Sequence, residues 1–361
     1  MASPLLASLG WDAALDAVWV SRDRADHCPA RITRVDRSGY DVLADGGPLR
    51  ATASAMVLAA LAADSTATPC VGDWVAVRRW PDERLTIEQI LPRRTAVVRA
   101  SVGGGSNGQV LAANHDVAMV VEPLHPEPDL GRVERLLALA WQSGARPVVV
   151  LTKADLVPDA AHIAADVVDA APGVDVHTVS GMTRAGVAAL RPYVGPGQTV
   201  AMLGPSGVGK STLTNSLAGV DVMATRELRG DGKGRHTTAH RELVVLPGGG
   251  VVIDTPGLRK VGLFAAATGI GRVFDDLERL ELDCRFNDCG HETEPGCAVR
   301  AAIASGDLDP RRLDSWRKLQ REMLRMELRQ DARLRAAQVA RWKHLTKDHR
   351  SLEARRGKLR G

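Results

Sequence analysis

Gly204-Pro205-Ser206-Gly207-Val208-Gly209-Lys210-Ser211 fits the phosphate-loop pattern G-x-x-x-x-G-K-[ST] at every fixed position. The apolar run Thr199-Val200-Ala201-Met202-Leu203 before it reads as a buried strand, and Thr212-Leu213-Thr214-Asn215-Ser216-Leu217 after it as the first turns of a helix. Strand, tight loop and helix in that order are what anion binding by the backbone requires. Glycine lets the chain curl without Cβ clashes, so successive N–H groups and a helix N-terminus face phosphate oxygens. Lys210 is placed to reach the β- and γ-phosphates and the Ser211 hydroxyl to ligate Mg²⁺, with Thr212 beside them at the helix start. A nucleotide cradle is the expectation from this stretch alone.

The surrounding texture agrees. Buried-strand runs at Asp116–Val121, Pro147–Leu151 and Val174–Val179 alternate with helical patterns such as Leu130–Gln142, which predicts a doubly wound α/β domain. Glu242–Leu246 and Gly250–Ile253, split by Pro247-Gly248-Gly249, predict a hairpin. Upstream, Ala30–Val35, Tyr40–Leu43, Gly72–Val77 and Leu85–Ile90 are short alternating runs bounded by turn residues. They predict a small β-barrel of the OB-fold kind, with Trp74 in its core rather than on a stacking surface. Pro92-Arg93-Arg94 through Gln109 is basic and then glycine-rich, and reads as a mobile connector.

Composition narrows the class. The chain has 361 residues, 45% of them apolar and only 3% aromatic, enough for two or three domains with real cores. No apolar run reaches the length of a membrane span, and Met1–Leu6 lacks a basic region followed by a long apolar core. Five cysteines, three of them clustered, point to a reducing compartment and a metal rather than to disulfides, so a cytoplasmic location is expected. The net charge of +4 conceals an asymmetry: residues 311–361 hold 17 Lys+Arg against 6 Asp+Glu, while the other 310 residues hold 30 against 37. Such a block suits a polyanionic partner, with a solvated helix face as the plainer alternative.

Cys284-x4-Cys289-x-His291-x5-Cys297 offers three thiolates and one imidazole, a set suited to one closed tetrahedral zinc. Four protein ligands leave no open position, so the metal would be structural. Beyond it, Pro310–Arg350 reads as helix, with Leu313, Trp316, Leu319, Met323 and Met326 on one face and arginines on the other.

Further motifs bear on which nucleotide is bound. Thr152-Lys153-Ala154-Asp155 resembles the guanine-specificity motif Asn-Lys-x-Asp. A carboxylate accepts from both guanine N1–H and the exocyclic amine, a pair of donors that adenine does not offer. Thr152 stands where Asn is usual, a departure expected to loosen the tether behind the base reader without removing it. Ser180-Gly181 resembles the Ser-Ala-x motif that sets a backbone N–H against guanine O6. Asp254-Thr255-Pro256-Gly257 matches D-x-x-G, in which Asp254 would hold Mg²⁺ through water and the Gly257 N–H would sense the γ-phosphate. The polar loop Gly230–Thr238 supplies Thr237 and Thr238, one of which, Thr238, is the candidate magnesium ligand of a first switch. Leu258 follows Gly257 where many GTPases carry Gln, so His236 becomes the candidate, with Lys210, for the catalytic set: it would position the attacking water.

The order of these motifs is base reader, Ser-Gly, phosphate loop, threonine loop, Asp-Thr-Pro-Gly, whereas most GTPases begin with the phosphate loop. Because the site needs only loops converging at strand ends, a circular permutation keeps the chemistry. On these motifs the chain resembles the circularly permuted GTPases, specifically the small-ribosomal-subunit-dependent RsgA/YjeQ family. The resemblance implies an OB-fold barrel (residues 1–95), a permuted GTPase domain (96–263) and an α-helical zinc-binding domain with a basic tail (264–361). It implies GTP and GDP as ligands, Mg²⁺, one structural zinc on the four residues above, GTP hydrolysis stimulated by the small subunit, and a part in that subunit's late maturation. The expected partners are that subunit and its rRNA, with no membrane and a monomeric chain. Two rivals remain at this level. An ABC-type ATPase shares the phosphate loop, but no L-S-G-G-Q occurs; a zinc-stabilised RNA-binding protein could hold nucleotide without turning it over.

Overall fold

In a computed structural model the described residues are 3–20, 26–100, 108–223, 241–255 and 262–330. The expected barrel is present. Its strands are β1 (His27–Asp36), β2 (Gly39–Ala44), β3 (Gly47–Ala53), β4 (Trp74–Arg79) and β5 (Leu85–Ile90), running in the order β1-β2-β3-β5-β4 and closing where β4 pairs back onto β1. Alternating small and branched residues fill it: Ala30, Ile32, Val42, Val75, Val77 and Ile87 are buried together. Closure leaves no free edge. Before the barrel come helices α1 (Pro4–Ser8) and α2 (Ala13–Val20), and α3 (Ala55–Ala63) bridges β3 and β4.

The connector after the barrel departs from expectation. Its flanks form a hairpin of β6 (Ala96–Ala100) and β7 (Gly108–Ala113), while 101–107 lie outside the described residues. Arg93 is no free cation either: its guanidinium binds the fully buried carboxylate of Asp73 at 2.7 Å and the carbonyls of Thr66 and Thr68. A buried carboxylate needs such a partner, and the sequence carries no local sign of the pairing.

The remaining strands are β8 (Val117–Pro123), β9 (Arg146–Thr152), β10 (Asp175–Thr178), β11 (Thr199–Leu203), β12 (Glu242–Val245) and β13 (Val251–Asp254). Strands β10, β9, β8, β11 and β13 are parallel neighbours in that order; β12 pairs antiparallel with β13, as the hairpin reading expects, and then with β1 of the barrel. Residues of β8 and β11 are buried without exception, as strands covered on both faces must be. Successive side chains serve opposite cores. Ala118, Val120, Val149 and Leu151 pack under α4 (Leu130–Gln142), with α5 (Ala160–Ala170) beyond; Val117, Met119, Val148 and Val150 pack on the other face, where α6 (Lys210–Ala218) contributes Leu213.

Four C-terminal helices follow: α7 (Ala267–Val273), α8 (Asp275–Leu282), α9 (Ala298–Ser305) and α10 (Pro310–Gln330). Their apolar residues Ile270, Phe274, Leu277, Leu313, Leu319 and Met323 share one core with α4. Leu313, Leu319, Met323 and Met326 are buried on the face the periodicity marked, and Trp316 is partly buried with them. The start of the arginine face behaves otherwise than expected. Arg311 and Arg312 turn inward onto Glu134 of α4, whose carboxylate is fully buried, and Arg312 also binds Asp276 at 2.7 Å. Two of the basic residues counted above are therefore structural cations; residues 331–361 lie outside the described residues.

Arg31 ties the parts together. Its buried guanidinium donates to the carbonyls of Leu9, Gly72 and Asn114 and to Thr199 Oγ1 at 2.8 Å, so the first residue of the strand feeding the phosphate loop is held from the barrel. Burial pulls its pKa down to about 9, with Asp116 opposing, so it stays charged at neutral pH.

Candidate nucleotide site and metal cluster

The strand ends converge. Met202 of β11 lies in register with Asp254 of β13, and Leu203 with Val120 of β8, so the phosphate loop leaves the sheet beside Asp254. Gly204 and Val208 are buried, Pro205 and Gly209 half-buried, and Ser206 and Gly207 exposed at the loop's crest. Gly209 has φ 98°, a left-handed backbone that delivers the chain into α6 and that a β-carbon would strain. Ser211 and Thr212 follow, half-buried, in the first turn of α6.

Lys210 is buried, its ammonium donating to the carbonyls of Gly204 at 3.0 Å and Pro205 at 3.1 Å. Asp254 Oδ1 lies 3.9 Å from that ammonium, too far for a hydrogen bond, and has no hydrogen-bond partner among the described residues. Burial draws the Lys210 pKa down against the pull of Asp254, and pushes the Asp254 carboxyl up against the pull of Lys210. Each charge is thus under-compensated. A divalent cation beside Asp254 and phosphate beside Lys210 would satisfy both, so the residues present fit a magnesium–nucleotide pair. Thr255, which sequence reading passed over, ties this corner down: its hydroxyl donates to Met202 O at 2.5 Å.

The candidate base-reading loop is tied to the phosphate loop. Thr152, at the end of β9, donates its hydroxyl to Val208 O at 2.5 Å and lies 3.4 Å from Glu122 O. The expected loosening therefore does not occur: the shorter side chain still reaches the phosphate loop because both groups are buried and adjacent. Lys153 takes a left-handed backbone, φ 61°, and its ammonium reaches the His125 carbonyl at 3.5 Å. Ala154 N–H donates to Val179 O at 3.1 Å, joining this loop to the next. Asp155 stands exposed on a one-turn 3₁₀ segment, Ala154–Leu156.

Ser180 is buried, its hydroxyl accepting from Thr183 N at 3.0 Å, and Gly181 lies against α6. A β-carbon at Gly181 would come within 3.0 Å of Thr212 Cγ2 and 3.3 Å of the Thr212 carbonyl carbon, so this loop approaches the phosphate-loop helix by its backbone. Base reader, Ser-Gly loop and phosphate loop thus form one contiguous wall. His236, Thr237, Thr238 and Gly257 lie outside the described residues.

Sequence reading also missed Asn215. Buried in α6, it accepts from Val222 and Met223 N–H at 3.1 and 2.8 Å and donates to Met223 O and Asp221 Oδ1. The signal was a polar residue one helical turn beyond Ser211, on a helix whose neighbours there are buried.

The metal cluster also assembles. The ligand atoms of Cys284, Cys289, His291 and Cys297 all lie within 4.8 Å of one another. Sulfurs bound at tetrahedral corners with bonds of about 2.3 Å stand about 3.8 Å apart. Cys284 and Cys297 Sγ are separated by 3.9 Å, and His291 Nδ1 lies 3.7 and 3.4 Å from them. The donor set and spacing fit zinc. Burial opposes ionisation of Cys297, but the Arg300 N–H, His291 and the neighbouring thiols prevail and bring it to about 7, so a metal-ready thiolate is accessible near neutrality.

Comparison with known proteins agrees with this geometry. The RsgA GTPase family model matches residues 90–264. The small ribosomal subunit biogenesis GTPase RsgA of Streptomyces avermitilis is 50% identical over 98% of this chain and 95% of its own. Among solved structures, YjeQ from Thermotoga maritima superposes with TM-score 0.58 at 22% identity, over 82% of this chain and 99% of its own. YloQ, described as a circularly permuted GTPase, gives 0.57 at 24% identity, over 82% and 95%. Those two likenesses speak to the fold. With half its residues shared along nearly the whole length of a named member, the chain belongs to the RsgA GTPase family and is a GTP-hydrolysing enzyme.

Proposed function

We propose that this GTPase binds the small ribosomal subunit through its rRNA and assists a late step of that subunit's maturation, GTP hydrolysis being stimulated by the subunit. The observation that carries the reading is the continuous wall of phosphate loop, Thr152–Asp155 and Ser180-Gly181, in a chain so similar to a protein named for small-subunit biogenesis. Asp155 reads guanine, Lys153 covers its face, and the Gly181 N–H meets O6. Lys210 and the loop N–H groups from Ser206 to Thr212 neutralise phosphate charge. Ser211, Thr238 and Asp254 hold Mg²⁺, which polarises the β- and γ-phosphates when bound. Thr237 belongs to the same switch loop, Gly257 senses the γ-phosphate, and His236 orients water. What the described residues contribute is preorganisation: buried donors held in place before the nucleotide arrives.

Cys284, Cys289, His291 and Cys297 hold one structural zinc. The working units are residues 1–95, 96–263 and 264–361, in a monomer. No described helix is long and apolar enough to cross a membrane, and the enzyme works in the cytoplasm beside ribosomes. The charge block of residues 311–361, less Arg311 and Arg312, is the expected rRNA contact, so binding falls steeply with salt. Co-sedimentation with purified small subunits tests this reading. Retention in a GTP analogue, release in GDP and loss on deleting 331–361 are expected; equal retention in all cases would overturn it.

A further inference from the structure

We propose that Glu281 is the residue that fixes His291 as a metal ligand through Nδ1, and so sets how tightly the Cys₃His cluster holds its ion. The inference rests on reading that cluster as a zinc site. It adds a fifth residue that no spacing motif contains.

His291 has two ring nitrogens with different duties. Nδ1 faces Cys284 and Cys297 Sγ, while Nε2 points away from the cluster to Glu281 Oε1 at 2.9 Å. A neutral imidazole that gives one nitrogen to a metal must carry its proton on the other. A carboxylate at that other nitrogen selects this tautomer, fixes the ring plane and makes the ligating nitrogen more basic. Glu281 can do all three because it is itself held. It sits in the last turn of α8, and its own carbonyl accepts from Cys284 N–H at 3.1 Å. One residue therefore bridges two of the four ligands, one by its main chain and one by its side chain.

His291 needs such a hold. Its backbone has φ 57°, a left-handed conformation a histidine seldom adopts, and its ring is buried in a T-shaped contact with Trp316, ring centroids 6.1 Å apart. Arg317, next along α10, donates to Gly290 O at 2.7 Å. The ring is thus clamped between α8 and α10, and Glu281 supplies the polar half of the clamp.

The test uses full-length protein loaded with zinc, with affinity read by competition against a chromophoric chelator. Removing an outer partner of a metal-bound histidine weakens binding by about 10–100-fold. Glu281→Ala should show a loss of that size, and Glu281→Gln, which keeps an acceptor without the charge, a smaller one. Asp283→Asn removes an equal charge from an exposed neighbour that does not touch the ring, and should change affinity less than twofold. In cobalt-loaded protein the His291 Nε2 proton should give a slowly exchanging shifted resonance that disappears in Glu281→Ala. GDP affinity of each variant reports that the chain is folded. Unchanged zinc affinity in Glu281→Ala would overturn the inference while leaving the zinc reading standing, and so would an equal loss in Asp283→Asn. Failure of the unmodified protein to take up zinc or cobalt would overturn both.

Discussion

Thr152→Val removes one oxygen and almost no volume, which makes it a clean probe of the wall between base and phosphates. The hydroxyl it deletes is buried and donates to the buried Val208 carbonyl at 2.5 Å, in the middle of the phosphate loop. Leaving such an acceptor unpaired costs about 1–3 kcal/mol. The Glu122 carbonyl, 3.4 Å from the same hydroxyl, is the weaker partner and adds little. Because the variant's loop, freed of this bond, can relax when empty and must be reordered to hold phosphate, most of the cost should appear as lost affinity. One to two kcal/mol corresponds to roughly 5–30-fold. Thr152 touches neither the base nor the γ-phosphate in this reading, so GTP and GDP should weaken equally, guanine selectivity should survive, and turnover at saturation should hold. Equilibrium titration with fluorescent GDP and GTP, followed by saturating turnover, measures all three. Unchanged affinity would show that the hydrogen bond does not organise the loop; a loss confined to guanine nucleotides would place Thr152 in base recognition instead.

Other expectations follow from the same geometry. Asp155→Asn replaces one carboxylate oxygen by a donor, so GTP affinity should fall at least about 100-fold, two lost charge-assisted hydrogen bonds, with xanthosine triphosphate becoming the better ligand in a competition assay. His115 is buried against Ser143, and burial, aided by Arg31, lowers its pKa from 6.5 to about 3. Its neutral form is the folded form, so its contribution is intact above pH 6.5 and is lost as pH falls, by roughly 2 kcal/mol at pH 5. Urea midpoints should drop over that range, and His115→Gln should flatten the drop. Glu134→Gln takes the buried carboxylate away from Arg311 and Arg312 at the start of α10, with Asp309 still facing Arg311. Asp276 still faces Arg312, so about 3 kcal/mol, the lower end for a broken buried pair, is expected. Hydrogen exchange should show α10 amides losing protection while GDP affinity is retained.

What was legible in the sequence was whatever a short stretch must do by itself. The strand, loop and helix around Lys210, the barrel strands and the Cys₃His cluster are each written within short stretches. Partnerships across the fold were not legible. Arg311 and Arg312 look like any solvated basic pair until Glu134, nearly 180 positions earlier, is found beneath them. Arg93 reads as a linker cation, although Asp73 lies buried against it. Thr152 appeared a weakened substitute because the motif compares residue types, whereas its worth depends on how close Val208 O lies. Val97 and Val110 stand on either side of a glycine-rich stretch, and only their burial in the packed hairpin marks the connector's flanks as structure.

The permuted order has a mechanical consequence. After Asp254 the chain order brings helices that share a core with α4, so the γ-phosphate sensing proposed for Gly257 would act on elements already docked. Subunit binding and turnover should therefore be coupled, and the most direct test is GTP against ATP hydrolysis with and without purified small ribosomal subunits. The account predicts turnover of GTP alone, rising sharply with subunits and abolished by Lys210→Ala. Hydrolysis of ATP at a comparable rate, indifferent to subunits, would contradict both the base reader and the ribosomal role.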